Sequence, residues 1–116
     1  MTKKKALSAS EASSISELLL AAARYFHHPE MERAIGYQVA GHLSIALVEA
    51  AHYLQDHVID PEGEGLTKRD SLAIARTLDK AARIMSSPDV IKIPFALSTK
   101  PVSTGLLKAA HRLSNK

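Results

Sequence analysis

Cysteine is absent from this chain of 116 residues, and so is tryptophan. Without thiols there is no disulfide, no thiolate nucleophile and no thiolate metal site, and the composition suits a reducing compartment. Aromatic residues make up 4% of the chain, which removes the usual platforms for stacking nucleic-acid bases and the usual anchors of protein interfaces. No apolar run approaches the roughly 20 residues needed to cross a bilayer. The start, Met1 to Ser8, has the basic opening of an export signal, but serine-rich sequence with Glu11 and Glu17 follows in place of a continuous apolar region. The expectation is a cytoplasmic protein with no membrane partner. Conventional enzyme signatures are also missing: there is no Gly-rich phosphate loop, no G-x-S-x-G elbow and no H-E-x-x-H. The sequence predicts no catalytic residue and no cofactor, and it favours a non-enzymatic role.

What is present is charge, and it is unevenly placed. The net charge of +3 conceals five Lys/Arg against nine Asp/Glu in residues 1–65, and ten against three in residues 66–116. The basic half suits an acidic partner, and two copies of the chain suit a head-to-tail pairing of unlike halves. At this length a single domain hides about two-thirds of its unfolded surface, so a core forms without covalent staples.

Hydrophobic periodicity predicts helices throughout. Residues 1–8 read as a flexible basic tail, and residues 9–116 as one helical domain. Ser8 with Glu11, and Ser14 with Glu17, both match the S-x-x-E capping box of a helix start. A first helix then runs to about His28, with Ile15, Leu18, Leu19, Ala22, Ala23, Tyr25 and Phe26 on one face and Glu17, Arg24 and His28 on the other. Pro29 ends it and suits the first turn of the next helix.

A second helix is expected over about Glu30 to Ile59, apolar around most of its circumference. Only Gln38, His42, Glu49, His52 and Asp56 form a wet strip. Gly36, Ala40 and Ser44 line up at spacings of four on this helix. A helical glycine costs about 1 kcal/mol relative to alanine, so close approach of a neighbouring helix, or a break near Gly36–Gly41, has to explain Gly36 and Gly41. Three other helices barely cover a rod of roughly 45 Å, and the sequence therefore predicts a homo-oligomer with Gly36, Ala40, Ser44 and Val48 at the interface.

Asp60-Pro-Glu-Gly-Glu-Gly marks an acidic loop. Thr67, with Asp70 three residues on, caps a third helix whose inner face is Ile74, Leu78, Ala81, Ala82 and Met85. From residue 89 to 101, apolar residues interrupted by Pro94 and Pro101 predict an extended or irregular crossover with room for one short edge strand. Ser103 then caps a short C-terminal helix. The fold class is all-α: an irregular bundle of three main helices and a short fourth.

Four features carry candidate chemistry. Arg69, Arg76 and Arg83 recur every seven residues, about 10.5 Å apart along a helix, with Lys68 and Lys80 beside them and Asp79 the one acid in the row. Such a ridge binds an acidic protein partner or phosphates, or is simply solvated. The turn of a helix-turn-helix is missing between Leu66 and Met85. Glu49 and His52 match the i, i+3 pair of metal-holding bundles, but they lie on the wet strip with Glu17 also facing out, which suits a solvated face. His27 and His28 flank a helix end, where capping accounts for them. His111 lies near the chain end, unlike the mid-helix histidines that carry phosphoryl groups. The reading is a helical interaction or assembly module, acting as a homo-oligomer through the basic ridge and the apolar segment Val90–Leu97. The alternatives are a nucleic-acid-binding accessory protein using the ridge and Lys3–Lys5, and a metal-binding bundle using Glu49 and His52.

Overall fold

The computed structural model describes residues 7–91 and 100–114, apart from the side chains of Asp89, Ile91 and Lys100. The first helix, α1 (Ala9–Phe26), starts where its capping chemistry places it. The Ser8 hydroxyl accepts from the Glu11 N–H and the Glu11 carboxylate accepts from the Ser8 N–H, both at 3.0 Å. Those bonds satisfy two donors that a helix start leaves bare. Leu7 already packs half-buried on the core, so order begins ahead of residue 9; residues 1–6 of the predicted tail lie outside the described residues.

The predicted second helix is not one rod. Pro29 opens a short helix, α2 (Pro29–Ile35), capped by His28, whose Nδ1 accepts from the Glu30 N–H at 3.1 Å. Gly36 then takes φ 97° and ψ 140° and ends it. That conformation is open to glycine and strained for other residues. The chain restarts at once as α3 (Tyr37–Leu54), which finishes in a single π turn over Gln55–Ile59. Of the two explanations for the glycines, the break is right for Gly36, whereas Gly41 lies inside α3 with nothing within 4 Å of where a Cβ would sit.

After the acidic loop, α4 (Lys68–Met85) is one unbroken helix, with the Thr67 hydroxyl accepting from the Asp70 N–H at 3.0 Å. Ile74, Leu78, Ala81, Ala82 and Met85 are buried, as their spacing predicts. The expected extended crossover over 89–101 needs correction at both ends. Pro88–Ile91 is a helical turn, α5, with Val90 fully buried. The last helix, α6 (Lys100–Ser114), includes Pro101 in its first turn, where the missing N–H is not needed. Ser103 is therefore inside α6 and buried, not its cap, and α6 is about as long as the other main helices. Residues 92–99, where the edge strand was expected, lie outside the described residues; no strand occurs among those described.

The four long helices form an up-down-up-down bundle. The Ser44 hydroxyl donates to the Ala23 carbonyl at 3.3 Å and Ser16 to Ala51 at 3.5 Å, so residue numbers rise along α1 as they fall along α3. In the same way Ser71 donates to Leu113 at 2.6 Å and Ser103 to Ala82 at 3.5 Å, which sets α4 antiparallel to α6. Small residues let each pair approach closely, and the buried hydroxyls are all satisfied among the described residues.

The two hairpins then lie side by side, α1 next to α6 and α3 next to α4. Gly105 marks the first of these contacts: a Cβ there would sit 2.9 Å from a Leu18 methyl. Arg112 grips Glu11 through two hydrogen bonds of 2.9 and 3.1 Å, and Tyr53 donates to Asp70. Phe26, Leu19, Met31, Leu47, Leu54, Leu78, Met85 and Leu106 fill the centre, each contributing roughly 1.5–3 kcal/mol of burial. The result measures 47 × 25 × 21 Å. No helix among the described residues is long and apolar enough to cross a membrane.

Candidate functional site

The inner face of α4 is apolar and its outer face is cationic, because the helical repeat sorts the two residue types into separate arcs. Lys68, Arg69, Arg76, Lys80 and Arg83 are all exposed, as the seven-residue spacing predicts. Arg83 pairs with Asp79 at 2.8 Å, one turn away. That pair is solvent-exposed and contributes little to stability, but it consumes the one acid on the ridge. Arg76 has no ion pair among the described residues.

The ridge borders a groove. Between α4 and α6 lies an open depression of about 740 Å³, lined by Leu72, Ala75, Arg76, Asp79, Leu107, Lys108, Ala110, His111 and Ser114. Its shape follows from composition: Ala75 and Ala110, both buried, are too short to fill the space between the taller side chains of α4 and α6. Leu72 and Leu107 make apolar walls, and Leu107 is 45% exposed. Arg76 from one helix and Lys108 and His111 from the other stand at the rim.

The sequence pointed to Arg76 and missed Lys108 and His111 as its companions. A signal was available: Leu107 and His111 are one turn apart, on the edge of the stripe formed by Leu106, Ala110 and Leu113. His111 stands exposed on this rim, near the end of α6.

The residues expected at an oligomer interface are not brought together on the surface. Ala40 and Ser44 are fully buried, Ser44 against α1 through its bond to Ala23. Val48 is half-buried and Gly36 exposed. Ser44 does serve close helix approach, but within the chain. Nor is α3 shielded nearly all round: Tyr37, Val39 and Ile45 are 75%, 42% and 57% exposed.

Glu49 and His52 are both exposed, and no group of three His, Asp or Glu placed to hold a metal ion occurs among the described residues. His27 ends α1, where a histidine at a helix C-terminus is expected, whereas His28 lies beyond that helix and caps the N-terminus of α2 as an acceptor. The arm at Lys3–Lys5, and Ile93, Phe95 and Leu97 of the apolar segment, lie outside the described residues.

A smaller pocket of about 240 Å³ lies between α3 and α4, lined in part by Glu49, Tyr53, Asp70 and Thr77. The Tyr53 ring stacks on His57 of the π turn at 4.0 Å. The bond to Asp70 raises the Tyr53 phenol above its ordinary value. The Tyr53 hydroxyl, then Thr67, hold the Asp70 carboxyl below its own, against the opposing effect of desolvation. Tyr53 is thereby kept as a neutral donor and Asp70 as an ionised acceptor. That is a structural tie between helices and the reverse of what proton abstraction by the tyrosine requires. The 740 Å³ groove is the better candidate for recognition. No protein-family model matches this chain, and no curated protein or solved structure matches it either.

Proposed function

We propose that this protein is a non-enzymatic interaction module whose docking surface is the groove between α4 and α6, and that its partner is an acidic amphipathic helix. The single observation behind this reading is the combination in one groove of apolar walls, Leu72 and Leu107, with the cationic rim of Arg76, Lys108 and His111. A helix laid in a groove anchors through apolar residues one turn apart, and carboxylates flanking those anchors meet the rim. Phosphate recognition alone calls for the charges but not for the apolar walls.

The second reading, a nucleic-acid accessory protein, draws on the exposed row of Lys68, Arg69, Arg76, Lys80 and Arg83. The two differ in salt response. Phosphate contacts release about one counterion each and weaken steeply with salt, whereas a mixed apolar interface changes little.

The test is fluorescence anisotropy with a labelled synthetic helix of about 18 residues, Leu on one face and Glu on the other, beside its Lys counterpart. A labelled DNA duplex is the third probe. The Glu peptide is expected to bind, the Lys peptide is not, and Leu107→Asp is expected to weaken the Glu peptide about tenfold or more. Equal binding of both peptides, or binding of the duplex alone with a steep salt slope, overturns the reading.

A further inference from the structure

We infer that the occupant of the α4/α6 groove is a second copy of this chain, docked head to tail through the outer face of its α3. The inference rests on the groove reading above and names the partner.

Three observations converge on the outer face of α3. Of the four large apolar side chains most exposed among the described residues, Tyr37 and Ile45 stand on this face, Val39 is on another flank of the same helix, and Leu107 is in the groove. Tyr37, Gly41 and Ile45 follow one another at four-residue steps, so the two large side chains share a stripe with the glycine between them. A Cβ on Gly41 would have no described atom within 4 Å, so the cost of a glycine within a helix finds no offset among the described residues. Approach of another helix across Gly41 supplies one.

Charge selects the partner and the polarity. From Tyr37 to Leu54, α3 contains no lysine or arginine and one carboxylate, Glu49, and the rest of the negative charge comes from the segments around it. Residues 7–65 carry nine carboxylates, one of them (Glu11) already bound by Arg112, against Arg24 and Arg33 alone. The groove lies on the other hairpin, whose exposed cations among the described residues are Lys68, Arg69, Arg76, Lys80, Arg83 and Lys108. Its described acids are already engaged, Asp79 by Arg83 and Asp70 by Tyr53.

A symmetric dimer through α3 alone would set acidic hairpin against acidic hairpin, and one through the groove alone would set basic against basic. Only the unlike pairing brings opposite charges together and covers both apolar patches at once. Such a contact is heterologous, so each copy keeps one free groove and one free α3 face, and assembly continues to a chain or closes as a ring.

The experiment is sedimentation velocity on the full chain over a range of concentrations and salt, with Ile45→Asp and Leu107→Asp studied separately and mixed. Both positions are exposed, and circular dichroism verifies that the fold is kept. Wild type is expected to grow with concentration beyond two chains, and its association to weaken with salt far less steeply than phosphate contacts do. Each variant alone, having lost one of the two faces, is expected at 12.5 kDa. Their mixture is expected to give a species of two chains and no larger, since one intact groove meets one intact α3 face and the mutated faces repel.

Wild type that stays monomeric at several hundred micromolar overturns the inference, as does either variant associating as wild type does, or a mixture that stays monomeric. Failure here is separable from failure of the groove reading. Monomeric wild type that still binds the Glu peptide sinks self-docking and leaves the groove standing. Monomeric wild type that ignores the peptide sinks both.

Discussion

Two glycines on what the sequence reads as one helix are expected to respond to alanine in opposite ways. Gly36 sits at φ 97° and ψ 140°, where a side chain costs roughly 1–3 kcal/mol in strain. Alanine also restricts the unfolded chain, which returns about 0.4–1 kcal/mol. Gly36→Ala is therefore expected to destabilise the fold by about 1–2 kcal/mol. Gly41 is inside α3 with nothing within 4 Å of its missing Cβ, so Gly41→Ala removes the helical penalty unopposed and is expected to stabilise by about 1 kcal/mol.

The gap between the two variants, about 2–3 kcal/mol, corresponds to a difference of roughly 8–12 °C in Tm for a domain of this size. Urea and thermal melts followed by circular dichroism, at a few micromolar so that association stays out of the measurement, supply both numbers. The reasoning fails if Gly36→Ala stabilises as Gly41→Ala does, because that is what a continuous helix over 30–59 predicts. It fails equally if Gly41→Ala destabilises the monomer.

Acid is expected to weaken the fold through the contact between α1 and α6. Glu11 is held at about 2, first by the hydrogen bond from Arg112, so its contribution is present above its ordinary value of 4.5 and is lost as pH falls from there towards 2. Both partners are more than a third exposed, which limits the effect to about 1 kcal/mol or less; urea melts of Glu11→Gln should lose this part of the pH dependence, and an unchanged profile refutes the assignment. For the Tyr53–Asp70 tie, Tyr53→Phe is expected to move the Asp70 titration up towards the ordinary carboxylate range, read by carboxyl NMR. A titration that stays in place means that Tyr53 is not the main cause of its depression.

Features written into neighbouring residues were legible in the sequence. The starts of α1 and α4 follow from Ser8 with Glu11 and from Thr67 with Asp70, each a bond spanning three residues. The buried stripe of α4 and its exposed cations follow from a single helical repeat. The break at Gly36 was harder, because apolar residues at helical spacing continue on both sides of it, and only a backbone angle separates α2 from α3.

Periodicity also says which residues face inward, but not against what. Spacing sets Ala40 and Ser44 on one ridge of α3, but it does not say that the helix meeting Ser44 is α1 of the same chain. Pro101 reads as a helix breaker in the sequence, yet its position in a first turn makes it compatible with α6. The groove was half visible for the same reason: Arg76 belongs to a local pattern, whereas Lys108 and His111 reach it only once α6 folds back along α4.

The serine bonds that join α1 to α3 and α4 to α6 have a consequence for biosynthesis. Each links helices that are successive long segments of the chain, so α1 and α3 can pair with each other before α4 and α6 are made. The order of translation thus matches the order of assembly. The second hairpin then condenses onto the first, and the sides of α1 and α3 that face α6 and α4 are covered only at that second step.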